Sequence, residues 1–235
     1  MNEENKEVTD VAVAPKSARE MMVMSDDETK ALAEVKGSDG FLPYIKFMSA
    51  ATQVVKDGAF EMNHFAMAEG TDLVDLGKEV VCIICKARAT AIQFGEQVIR
   101  SHDPQSETFQ QIKDSIGDEG SGAQFGPEYL LYLPTQDCLA TMMLGSKSAR
   151  NESKHFNGLV GCAAILLPKQ SKEHPKYGTW WFPTAKASTQ DVKWSDDMDS
   201  VIAAAITKFE TDKGTQIELV EEPAADATGK AKREV

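Results

Sequence analysis

Eight cations and six flat aromatic rings crowd into the stretch from Gly145 to Trp194. Lys147, Arg150, Lys154, Lys169, Lys172, Lys176, Lys186 and Lys193 stand there against only Glu152, Glu173 and Asp191, a local balance of +5 in a chain of formal net charge −12. The same stretch holds all three tryptophans, Trp180, Trp181 and Trp194, with Phe156, Tyr177 and Phe182. Cations interleaved with rings suit a single nucleic-acid strand, because charge follows the phosphates and rings stack on unpaired bases. A half-buried sheet edge has the same composition, so the pattern leaves both origins open.

The spacing inside the stretch sharpens the first possibility. A helix expected from Ser146 to about Asn157 would carry Lys147, Arg150 and Lys154 at i, i+3 and i+7, along one face. Its start would offer free backbone amides to a phosphate. The loop QSKEHPKYG between two expected strands adds Lys172, His174 and Lys176, with Lys169 directly before it. On the second of these, Trp181 should point opposite to Trp180 and Phe182, so that one face is core and the other exposed. The nucleic-acid-binding set expected from sequence is therefore Lys147, Arg150, Lys154, Lys169, Lys172, Lys176, Tyr177, Trp180 and Trp181. One uncovered ring is enough, since a base stacked on an aromatic contributes about 1–3 kcal/mol.

Other chemistry finds less support. Gly145-Ser-Lys-Ser148 fails as a phosphate loop, which needs two glycines flanking four residues and then Lys-Ser/Thr directly after the second. Cys82-Ile-Ile-Cys85 has knuckle spacing but lies in an apolar strand, where i and i+3 face opposite sides, and no second pair completes a tetrahedral set. Both read as buried structural thiols. His64, His102, His155 and His174 are scattered, and no serine-hydrolase elbow or zinc-protease motif is visible. The expectation is a binding protein, not an enzyme, with no catalytic residues, metal or cofactor.

The elements that must position the basic stretch read as follows. Residues 1–40 form an arm: polar and disordered to about residue 16, then two short helical pieces from Ser17 to Lys36. Within it lie the apolar Met21–Met24 cluster and a capping box at Ser25–Glu28. A β-rich core domain spans 41–190. Its strands are FLPYIKFM, a second through His64–Ala68, the long β-branched run LGKEVVCIICKARATAIQF, a short GEQVIRSHDP, the hairpin EYLLYLP/CLATMML around Pro134–Asp137, GCAAILLPK and TWWFPTAKA. A short helix at SETFQQIKDSI places Phe109, Ile112 and Ile116 on one side, and GDEGSGAQFGP reads as a loop. A C-terminal helix over 195–214, capped by Ser195 and ended by Gly214, carries a stripe of Val201, Ile202, Ala205, Ile206 and Phe209. Residues 215–235 read as a disordered tail.

The expected class is mainly β (α+β): a small oligonucleotide-binding-type barrel or compact antiparallel sheet, with an inserted helix and peripheral terminal helices. Hydrophobic residues make up 42% and charged residues 26%, ordinary for a globular chain. The acidic balance argues against a protein that coats duplex DNA with its whole surface, while allowing one basic groove. No apolar run is long enough to span a membrane, and MNEENKEVTD does not read as a secretory leader. The four cysteines are then expected reduced, in a cytoplasm.

FLPYIKFMSAATQVVKDGAF, DLGKEVVCIICKARATAI, GPEYLLYLP and MLGSKSAR, in that order, resemble a set of tailed-phage proteins from about Phe41 to Ala187. The resemblance implies a small protein of the DNA-replication neighbourhood, similar in organisation to phage single-stranded DNA-binding proteins and acting in the cytoplasm of an infected bacterial host. Its partners would be single-stranded DNA, other copies of itself, and phage or host replication proteins. Such binders usually end in an acidic tail, whereas this chain ends in Lys230-Ala-Lys232-Arg233, which puts tail-mediated recruitment in doubt. Two alternatives stand beside it. A virion or assembly protein would use a sheet edge and the Met cluster for subunit contacts. An inhibitor of a host enzyme would use acidic charge to mimic a nucleic-acid backbone.

Overall fold

The computed structural model describes residues 42–69, 72–95, 97–118, 120–175, 178–192, 194, 196–214 and 216–218. The expected N-terminal arm and nearly all of the C-terminal tail lie outside them. In chain order the elements are β1 (Tyr44–Phe47), α1 (Gln53–Lys56), β2 (Phe65–Glu69), β3 (Asp72–Gly77), β4 (Val80–Gln93), β5 (Gln97–Ser101), α2 (Glu107–Asp114) and β6 (Ala123–Leu133). There follow β7 (Cys138–Met143), α3 (Lys147–Asn151), α4 (Ser153–Asn157), β8 (Ala163–Gln170), β9 (Trp181–Ala187), α5 (Asp196–Thr211) and β10 (Gln216–Glu218). The fold is mainly β with a large mixed sheet, an α+β arrangement.

Two compact units share this chain, one built from residues up to Arg88 and from Pro127–Asp212, the other from Ala89–Gly126 and from Lys213 onward. The domain expected over 41–190 is thus divided, and the C-terminal helix belongs to the first unit. In that unit β1, β2 and β3 form an antiparallel meander. β1 then meets β7 in parallel at Tyr44–Thr141, β7 pairs antiparallel with β6, and β6 lies beside β4. β8 pairs antiparallel with Val80–Ile83 of β4, and β9 with β8. The path runs open from β9 to β3, with no ladder joining its ends among the described residues.

The middle of this sheet is buried on both faces, as the unbroken apolar runs of β4 and β6 require. Cys82 and Ile84 enter one core with Tyr129, Leu131 and Leu133, while Ile83 and Cys85 enter the other with Leu130 and Tyr132. The strand period thus sends the two cysteines to opposite faces, and both are free thiols. Burial pushes the Cys85 thiol up to about 12 and raises Cys82 further. The second core is closed by α5 through Ile202, Ala203, Ile206 and Phe209. Fully burying each of the three large side chains contributes about 1.5–3 kcal/mol. Val201, expected on that stripe, is instead 50% exposed, one residue off the 3.6-residue face.

Arg88 fixes the C-terminal end of α5. Its Nε donates to Glu128 Oε2 at 2.8 Å, its Nη1 to the Phe209 carbonyl at 2.8 Å, and the guanidinium lies 4.0 Å from the Phe209 ring centroid. Lys86, two residues along the same strand face, meets Glu210 at 2.5 Å. Cations at a helix C-terminus complement its dipole, which explains why two of them stand here.

In the second unit β5 pairs with Ala91–Gln93 of β4, and β10 with β5. Residues 216–218, expected in a disordered tail, therefore form a strand. Ser106 caps α2 by accepting the Phe109 amide, and Phe109 and Ile112 are buried as expected. β6 begins at Ala123, inside the expected glycine-rich loop, and Asp72–Gly77 form a strand of their own ahead of the long β4 run. No helix among the described residues is long and apolar enough to cross a membrane.

Candidate nucleic-acid interface

β7 delivers the chain to the basic stretch, which lies in the first unit. Ser146 caps α3 by accepting the Ala149 amide, and Ala149 is buried against the sheet. The single helix expected over 146–157 is two helices, α3 and α4, meeting at Glu152. Lys147, Arg150 and Lys154 therefore do not lie along one continuous helical face, and α3 and α4 are single turns. Tertiary contacts impose the break. Phe156 is fully buried with its ring 5.0 Å from Tyr129, whose hydroxyl donates to Asn157 Oδ1 at 2.8 Å.

Glu152 is only 7% exposed. Its Oε2 accepts from Thr184 Oγ1 of β9 at 2.6 Å and its Oε1 from Lys169 Nζ of β8 at 2.8 Å, with His155 Nε2 at 3.6 Å. Burial pushes this carboxyl up, but the hydrogen bonds from Lys169 and Thr184 and the charges of Lys169 and His155 outweigh it. The result lies below the ordinary carboxylate range. One acid thus ties the α3–α4 junction to both strands of the β8–β9 hairpin.

That hairpin keeps its register from Ala164–Ala187 to Gln170–Trp181. Beyond it the Ser171 amide donates to the Trp180 carbonyl at 2.8 Å, and the Trp180 amide donates to Ser171 Oγ at 2.9 Å. His174 and Gly178 exchange backbone hydrogen bonds across the tip, where Gly178 takes φ +66°. Trp180 is 39% exposed, and its Nε1 donates to Ser148 Oγ on α3 at 2.9 Å. The His174 ring lies 6.4 Å away, tilted by 54°. An indole held by its N–H with its face partly in water is a surface on which a planar group can stack.

The structure thus joins the α3–α4 turn to the hairpin through Trp180–Ser148 and Lys169–Glu152. Lys147, Lys154 and Lys172 are exposed. Arg150 is half-buried with Nη1 donating to the Gly145 carbonyl, and burial lowers its pKa. Lys169 is exposed as well but engaged with Glu152, while Lys176 and Tyr177 lie outside the described residues. Trp181 is half-buried and Phe182 buried. Trp180 and Phe182, expected on one face, differ in burial: Trp180 is exposed and Phe182 buried. Trp194 packs on Tyr132 at 6.2 Å and donates from Nε1 to Asp199 Oδ1, away from the hairpin tip.

Ser148, Glu152 and Thr184 were not singled out from sequence. Only Glu152 carried a signal there, as a lone carboxylate between Arg150 and Lys154. Among the described residues no group of three or more His, Cys, Asp or Glu side chains is arranged to hold a metal ion. Compared with known proteins, no family matches the chain, and no match is found among curated proteins or solved structures.

Proposed function

We propose that this protein binds single-stranded DNA without sequence preference, through the face made by α3, α4 and the β8–β9 hairpin. The observation that carries the proposal is Trp180: an exposed indole pinned by Ser148 to the helix that begins at Lys147. Exposed Lys147, Lys154 and Lys172 supply charge for phosphates, and Trp180 supplies the stacking surface. The rest of the chain is strongly acidic, which disfavours wrapping by a duplex and leaves this face as the attractive one. A phage replication or recombination role in the host cytoplasm follows from the stretches between Phe41 and Ala187 that resemble tailed-phage proteins.

The fold is read here as a relative of the oligonucleotide-binding barrel. Supporting this are the β1–β2–β3 meander and the parallel contact through which β1 meets β7. That barrel is itself partly open. Tryptophan fluorescence titrated with a thymine oligomer tests the function. Salt-sensitive quenching is the expected outcome, and its absence would remove the proposal.

A second function has one observation in its favour. Among the described residues β3 ends the sheet path with Leu73 and Val74 exposed, and β9 has a partner on one side only. Open edges of this kind pair with other chains, as a virion or assembly protein would require.

A further inference from the structure

We propose that Glu152 is the positioning residue of the strand-binding face, and that Lys169, although its side chain is 45% exposed, serves it as a counter-charge and not as a phosphate ligand. This rests on the single-strand function proposed above. The geometry is specific. One carboxylate, nearly closed off from water, receives Thr184 Oγ1 at 2.6 Å and Lys169 Nζ at 2.8 Å from adjacent strands. It does so from the residue at which the α3–α4 turn bends. Nothing in a basic nucleic-acid face calls for a carboxylate, which repels phosphate, unless the carboxylate holds the face together.

Among the described residues, Trp180–Ser148 at an exposed site also joins the two elements that bear the exposed cations and Trp180. Contacts with a half-exposed end are weakened by water, and the Lys169 side chain is itself 45% exposed, whereas the Thr184 bond to the same carboxylate is buried and keeps its strength. Lys169 reaches Glu152 with its ammonium, so its charge is already matched before a strand arrives. It should release few counterions when DNA binds.

The test compares oligothymidine affinity, read by tryptophan fluorescence at several salt concentrations, for Lys147→Gln, Lys169→Gln, Lys169→Arg, Glu152→Gln and Thr184→Val. Removing a phosphate ligand lowers the salt slope by about 0.7 for a single strand. Lys147→Gln should show this loss, while Lys169→Gln should weaken binding with the slope unchanged and Lys169→Arg should restore affinity. Glu152→Gln separates the two possibilities by sign. Deleting a negative charge beside the site would tighten binding on electrostatics alone, whereas loss of positioning should weaken it about tenfold, within the range for residues sharing one hydrogen-bonded network.

Thr184→Val removes the other support without changing net charge. It should also weaken binding at constant slope, and it carries the test should Glu152→Gln not fold. Equal or tighter binding by Glu152→Gln, or a slope loss in Lys169→Gln equal to that of Lys147→Gln, overturns the positioning role while leaving single-strand binding intact. A wild-type protein with no salt-sensitive binding overturns both.

Discussion

Replacing Arg88 by methionine should be among the most damaging single changes in the first unit. Glu128 has a side chain 1% exposed, and Arg88 Nε meets it at 2.8 Å from a side chain only 13% exposed. Removing one partner of a buried ion pair costs about 3–5 kcal/mol, because the remaining charge stays in a poorly solvated site. The Phe209 carbonyl loses its charged donor and the Phe209 ring its cation at the same time. These losses overlap with the first and do not simply add. A total near 4 kcal/mol in urea unfolding, or a melting temperature lower by roughly 10 °C in a chain of this size, is the expected outcome. The double variant Arg88→Met/Glu128→Met removes both charges, and well-packed apolar replacement of a buried pair is often neutral or better, so it should recover most of the loss. Arg88→Met within about 1 kcal/mol of wild type, or a double variant as unstable as the single, would refute the assignment of a buried, mutually dependent pair.

Trp180→Ala should lower the melting temperature only modestly, since the residue is 39% exposed and its hydrogen bond to Ser148 lies at an exposed site. It should weaken oligothymidine binding by about 1–3 kcal/mol, or roughly 5- to 150-fold, in a fluorescence-independent assay such as anisotropy of labelled DNA. The stability that Glu152 provides has a definite pH sign. Its folded pKa is depressed, so the contribution is complete above the unfolded carboxylate range and is lost as pH falls through the lowered folded value. The difference in melting temperature between wild type and Glu152→Gln should therefore be flat above about pH 5 and shrink below about pH 4; a difference that grows on acidification contradicts the assignment. At Gly214, φ is +109° and an added Cβ would stand 2.1 Å from the Arg100 carbonyl oxygen and 2.7 Å from Ser101 Cα. Gly214→Ala should displace the backbone that leads into β10, costing about 1–3 kcal/mol for the φ alone, and hydrogen exchange of β5 amides should accelerate.

Much of the scaffold was legible because its cause is local. The period of two in Val80–Gln93 placed Cys82 and Cys85 on opposite faces, and the Pro134–Asp137 turn announced the β6–β7 hairpin. The Phe109/Ile112 spacing marked α2. Misreadings came where distant contacts decide. The glycines of 117–126 suggested a loop, yet Ala123 and Phe125 are drawn into the second unit's core and start β6 early. The unbroken helix over 146–157 was a sound inference from composition. It is divided where Phe156 and Asn157 meet Tyr129 and the Glu152 carboxylate is bound from β8 and β9, contacts whose proximity no spacing in the chain reveals. The same reason explains why Lys169 looked like a free cation. Trp180, by contrast, sits at the end of the β8–β9 ladder opposite Ser171, where alternation alone does not say which ring stays uncovered.

The most direct test of the central claim is a gel shift of the full chain with matched single-stranded and duplex oligonucleotides, repeated at low and moderate salt. Retardation of the single strand alone, weakening as salt rises and lost in Trp180→Ala, is the predicted result. Equal retardation of both forms, or no retardation of either by a protein that light scattering shows to be a stable oligomer, would contradict it and favour assembly through the β3 and β9 edges.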